Sequence, residues 1–119
     1  MAYQLDLEKG FLEIDLGNIT SGDFIEEHNL IFGEFKKNKK DNYEKFEVII
    51  KGIDLIKLHD EDVLFRLLLN ILCDIETLSK DKFPVTVLWY YQNEDELEMG
   101  NMMNDLLDEY MTFEFLKIE

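Results

Sequence analysis

Hydrophobic positions along this chain change period several times, and the sharpest change falls within residues 46–78. Phe46, Val48, Ile49, Ile50, Ile53, Leu55, Ile56 and Leu58 form a run rich in β-branched residues, which predicts a strand buried on both faces, with Gly52 a candidate bulge. Beyond His59-Asp60-Glu61-Asp62 the period becomes helical. Leu64, Leu67, Leu68, Ile71, Leu72, Ile75 and Leu78 share one face, while Arg66, Asn70, Asp74 and Glu76 fall largely on others. Asp60 is placed to cap this helix by accepting from backbone N–H groups two or three residues on. Glu61 and Asp62 add negative charge beside the positive end of the helix dipole. The turn lies at the carboxyl end of a strand, the edge where open α/β sheets usually dock ligands and partners. It therefore reads as a capped helix start that also forms part of a recognition surface.

The flanking segments follow the same two periods. Tyr3, Leu5 and Leu7, then Leu12, Ile14 and Leu16, alternate with polar residues around Lys9-Gly10, as in an antiparallel hairpin. Thr20-Ser21-Gly22-Asp23 resembles a capping box, and Phe24, Ile25, His28, Ile31, Phe32 and Phe35 continue at helical spacing to about Lys37. His28 on that face is expected to be packed or hydrogen-bonded. Residues 36–42 hold the one concentrated run of lysines and suit a solvated loop at a helix C-terminus.

Residues 83–91 predict another strand, with Pro84 near its start where no ladder donor is needed. Asn93-Glu94-Asp95-Glu96 is a second capping-box pattern. It opens a helix with Leu97, Met102, Met103, Leu106, Leu107 and Tyr110 on its apolar side, in which Gly100 marks a close approach or a break. Residues 111–118 alternate as a final strand. The order ββαβαβαβ predicts an α/β domain over residues 1–119: a mixed, mostly parallel sheet with an N-terminal antiparallel hairpin and three covering helices.

Composition narrows the partners. With 27 acidic against 12 basic residues the formal charge is −15, which disfavours nucleic acid and anionic membranes and favours a basic patch on another protein. No apolar run approaches the length of a spanning helix. The N-terminus lacks the basic start and apolar core of a signal peptide, so a cytoplasmic protein is expected. Cys73 lies beside the apolar face of the long helix and is expected to be a small buried hydrophobe.

Chemistry-bearing patterns are sparse. His59 with Asp60 and Asp62 could face a divalent metal, but adjacent acids at a helix start point in different directions and are usually solvated. There is no Gly-rich phosphate loop, no Ser-His-Asp signature and no Cys-x-x-Cys. No enzyme and no cofactor is expected. Of the aromatics in 89–91, alternation sends Trp89 and Tyr91 to one side of a strand and Tyr90 to the other, so at least one meets a helix. Met99, Met102, Met103 and Met111 are expected to fill the core.

Several of these features together resemble the SiaC family of bacterial regulatory phosphoproteins. They are the strand, polar turn and helix of residues 48–76, the Val-x-Val-x-Trp-Tyr-Tyr strand of 85–91, the acidic run of 93–98, Gly100, and the closing Phe-x-Phe of Phe113 and Phe115. That family is similar in fold to STAS domains, the anti-sigma-factor antagonists. The resemblance spans about residues 10–118, and Trp89-Tyr90-Tyr91 with the acids that follow is its most specific part.

The resemblance implies a STAS-like partner switch. A kinase-like ATPase phosphorylates a Thr or Ser in the strand-to-helix turn, a serine/threonine phosphatase reverses it, and the unmodified form binds a downstream target, in some members a diguanylate cyclase. The family turn reads Asn-Thr-Ser-Ser; the matching positions here are His59, Asp60, Glu61 and Asp62, with no hydroxyl among them. The family's Pro-Glu element also has no match near residues 20–27. A phosphothreonine adds about −1.5 to −2 charge at a helix N-terminus, and Asp60 sets a fixed negative charge in the same place. The expectation is a monomer or weak dimer locked in one state. It binds protein partners through this turn, with Tyr90, Tyr91, Glu94 and Asp95 as further contact surface. An acidic inhibitor or immunity-type protein that neutralises a basic enzyme is the alternative.

Overall fold

A computed structural model describes residues 3–16, 24–52 and 61–118. The elements are β1 (Tyr3–Asp6), β2 (Phe11–Asp15), α1 (Phe24–Asn38), β3 (Phe46–Lys51), α2 (Glu61–Ser79), β4 (Val85–Tyr91), α3 (Glu94–Leu107) and β5 (Thr112–Lys117). Alternation of period 2 and period 3.6 thus yields the expected ββαβαβαβ order. The capping pattern at residues 20–23 and the continuation of the central strand through Ile53, Leu55, Ile56 and Leu58 lie outside the described residues.

The five strands lie in chain order across one sheet, β1 antiparallel to β2 and every later pair parallel. Register lines up two apolar rows across all five strands. One runs Tyr3, Ile14, Ile50, Trp89, Phe115 and the other Leu5, Leu12, Val48, Val87, Phe113. Each parallel connection steps one strand in the same direction. Right-handed crossovers then place all three helices on a single face of the sheet.

Burial agrees with this one-sided cover and corrects one expectation. In β3 Phe46, Val48 and Ile50 are fully buried, but Glu47, Ile49 and Lys51 are only half-buried. The described part of this strand is therefore not buried on both faces. Phe11, Glu13, Leu88 and Tyr90 share the uncovered face with them. A parallel sheet shows unbroken apolar strands when helices cover both sides; here no helix among the described residues covers the second side, and the strands alternate.

α2 packs as its periodicity predicts, with Leu64, Leu68, Ile71, Leu72 and Ile75 in the core. It lies against α1, and His28 Nε2 meets Asp74 Oδ2 at 2.6 Å across the helix pair, a structural use of that histidine. Cys73 departs from expectation. It is exposed, because it lies on the side of α2 opposite Leu64 and Leu68. Partial desolvation of the sulfur and the neighbouring Asp74 and Glu76 carboxylates push its thiol pKa up, which disfavours the thiolate.

α3 is set by polar contacts and a glycine. The Asn93 side chain accepts from Glu96 N at 3.0 Å and donates to Glu96 Oε2 at 2.8 Å, while Gln92 N donates to Glu96 Oε1 at 2.9 Å. Trp89 Nε1 donates to the Glu96 carbonyl at 3.0 Å. Gly100 lies directly on the indole: a Cβ there would fall 2.7 Å from Trp89 Nε1 and 2.8 Å from Phe115 Cε1. These contacts turn Met99, Gly100, Met103 and Leu107 inward. Met102, Leu106 and Tyr110, expected on the apolar side, are instead exposed, and of the four methionines expected in the core Met102 is the one outside it.

At the opposite end of the sheet the β1–β2 turn is fixed by Asp6, whose carboxylate accepts from Glu8 N and Lys9 N, and by Gly10 at φ +87°. Tyr43 packs on Gly10, joins Phe46 and Phe83 edge to face, and donates to the Leu7 carbonyl.

Candidate functional site: the carboxyl edge of the sheet

Parallel strands send the starts of their helices to one edge. α2 begins at Glu61 after β3, α3 begins at Glu94 after β4, and β3 and β4 are neighbours. Two helix N-termini with acidic first turns therefore lie side by side, because carboxylates suit the positive end of each dipole. Basic residues close α1 and follow α2, namely Lys36, Lys37, Lys39 and Lys40 for the first and Lys80 and Lys82 for the second, at the other edge. There Lys39 reaches Asp41 at 2.6 Å and Lys40 reaches Glu8 at 3.0 Å. These carboxylates, through hydrogen bonds first, hold both ammonium pKa values above the ordinary lysine value.

Of the residues singled out from the sequence, His59 and Asp60 lie outside the described residues, and Glu61 and Asp62 are the first two residues of α2. Glu94 and Asp95 are exposed in the first turn of α3. Tyr91 is half-buried and packs on the core from the helix side, whereas Tyr90 is half-buried on the uncovered face. The aromatic pair is thus split between two faces, and only the edge itself is shared. Trp89 is fully buried beneath α3 and is structural.

Lys51 is the cation at the end of β3. It pairs with Glu13 on the uncovered face, and that hydrogen bond, followed by the charges of Glu13 and Asp15, raises its pKa above the ordinary lysine value. Sequence reasoning missed this pair because Glu13 and Lys51 meet only through the β2–β3 register, in which Glu13 lies opposite Ile49 and Asp15 opposite Lys51. It also missed the buried state of Glu96, although the capping pattern named the residue.

Among the described strands the order never reverses, so the topology lacks the switch point at which doubly wound sheets hold small ligands. Two open clefts among the described residues lie elsewhere. One is lined by Glu8, Lys40, Tyr43 and Lys45, and another by Glu76, Lys80, Glu109 and Tyr110. Among the described residues no three His, Cys, Asp or Glu side chains are grouped to hold a metal ion, and no helix is long and apolar enough to cross a membrane. Among the described residues the edge shows the exposed carboxylates of Glu94 and Asp95, with Tyr90 and Tyr91 half-buried on opposite faces beside them. No protein family, no curated protein and no solved structure matches the chain.

Proposed function

We propose that this chain is a non-enzymatic regulatory module that works by binding other proteins at the carboxyl edge of its sheet, in the manner of a STAS-like, SiaC-type partner switch acting in the bacterial cytoplasm. The observation that carries the reading is the pairing of two acidic helix starts, at Glu61 and Glu94, on adjacent parallel strands. Asp60 supplies a fixed negative charge where the resembling family carries a phosphorylated hydroxyl, so this chain holds one binding state constitutively. Its partners are a kinase-like ATPase, a serine/threonine phosphatase or a diguanylate cyclase.

The experiment is a pull-down from the native host, followed by affinity measurements on the captured protein with Asp60→Ala and Asp60→Thr. A loss of about tenfold in the alanine variant, with the threonine variant regaining affinity only when phosphorylated, supports the switch. Unchanged affinity in both removes the turn from the interface. The net charge of −15 favours a second reading, an acidic inhibitor or immunity-type protein seated on a basic enzyme. In that case the captured protein is a basic enzyme, and its activity falls on binding.

A further inference from the structure

Met102, Leu106 and Tyr110 are 53%, 55% and 54% exposed, and they recur every fourth residue along α3 and the turn that closes it. Such spacing makes one continuous apolar stripe. It extends over roughly 12 Å, from eight residues at 1.5 Å rise. Tyr110 shares a cleft with Glu76, Ser79 and Lys80 at the end of α2, so this end of the stripe faces α2. α2 and α3 touch far less than α1 and α2 do and the stripe stays exposed, so the two helices would flank a bound segment as a furrow.

The charge beside the stripe identifies what fits it. Glu98, Asp105 and Glu109 are exposed and stand three or four residues from Met102 or Leu106. Residues 83–116 contain eight acidic residues and no lysine or arginine. A second copy of this chain would bring the same negative charge to the furrow. A nucleic acid or an anionic membrane would be repelled as well.

The geometry points to a docking site for a basic amphipathic helix of a partner protein, its apolar residues seated over Met102, Leu106 and Tyr110 and its lysines or arginines facing Glu98, Asp105 and Glu109. This surface belongs to α3 and goes beyond the partner switch proposed above.

The test uses a synthetic helix of about 18 residues with leucines on one face and lysines on the others, together with a scrambled peptide of identical composition that has no apolar face. Fluorescence anisotropy at physiological salt should show saturable binding of the amphipathic peptide, at least about tenfold tighter than the scrambled one. Met102→Ser with Leu106→Ser should weaken binding about tenfold or more. Asp105→Lys with Glu109→Lys should weaken it and reduce its salt dependence. Leu30→Ser, at an exposed leucine on α1, and Asp60→Ala should leave it unchanged. All the altered side chains of α3 are exposed, and thermal melting verifies that each variant is folded. Equal affinity for the two peptides, no binding of either, or no loss in the serine double variant overturns the proposal. Because Asp60→Ala tests the other surface, failure of one leaves the other standing.

Discussion

Helices α2 and α3 follow neighbouring strands and cover the same face of the sheet, yet they are anchored by different means. α2 lays a broad apolar stripe, from Leu64 to Ile75, on the sheet and against α1. α3 has a narrower buried strip and takes its rotation from the Asn93–Glu96 cap and from Gly100 seated on Trp89. A helix held by many interchangeable contacts can be read from periodicity alone. One held by a few specific contacts must be read from those contacts, and apolar residues left over on its outer side are free to serve another purpose.

Truncation on α2 should have the largest effect. Leu68→Ala opens a cavity beneath a fully buried side chain and should cost about 2–5 kcal/mol in urea unfolding. A cost near zero would mean that α2 is not held by its stripe. Next comes a pair of glycines that separates helix propensity from packing. Gly100→Ala must push a Cβ into the buried, hydrogen-bonded indole of Trp89 and should lose about 1–3 kcal/mol. Gly33→Ala, on α1 with nothing within 4 Å, should gain about 0.5–1 kcal/mol. If both alanines stabilise, Gly100 is not the contact that orients α3.

Removing the cap should matter somewhat less. Glu96→Ala strips the partners from Gln92 N and from the Asn93 amide, and should cost about 1–2 kcal/mol, with amide exchange faster in the first turn of α3 than in α2. The smallest effect belongs to Met102→Ser, which should change stability by no more than about 0.5 kcal/mol, since its side chain already stands in water. A large loss there would place Met102 in the core after all and close the proposed furrow.

The same contrast explains what could be read in advance. The hairpin, the strand and helix order, the face of α2, the cap at Asn93 and the close approach at Gly100 all follow from local pattern, and each is found. The rotation of α3 was not legible, because Met102, Leu106 and Tyr110 on one side and Met99, Met103 and Leu107 on the other are both spaced as a helical stripe. What chooses between them is a contact with Trp89, and that exists only once β4 and α3 are packed. Burial of β3 on one face was missed for a similar reason. Its β-branched run cannot reveal that all crossovers step the same way and leave the second face bare. Residue type alone assigns Cys73 to the core, although its place in the helical repeat, opposite Leu64 and Leu68, sets it toward solvent. Of the proposed switch turn, Glu61 and Asp62 are the first two described residues of α2, while His59 and Asp60 fall outside the described residues.

The strictly sequential strand order also bears on how the molecule is made. Every strand pairs with the one synthesised just before it, so no pairing waits for a distant segment to leave the ribosome. Each new strand and its helix can join an edge that already exists, and the nascent chain can grow its sheet in a single direction from β1 to β5.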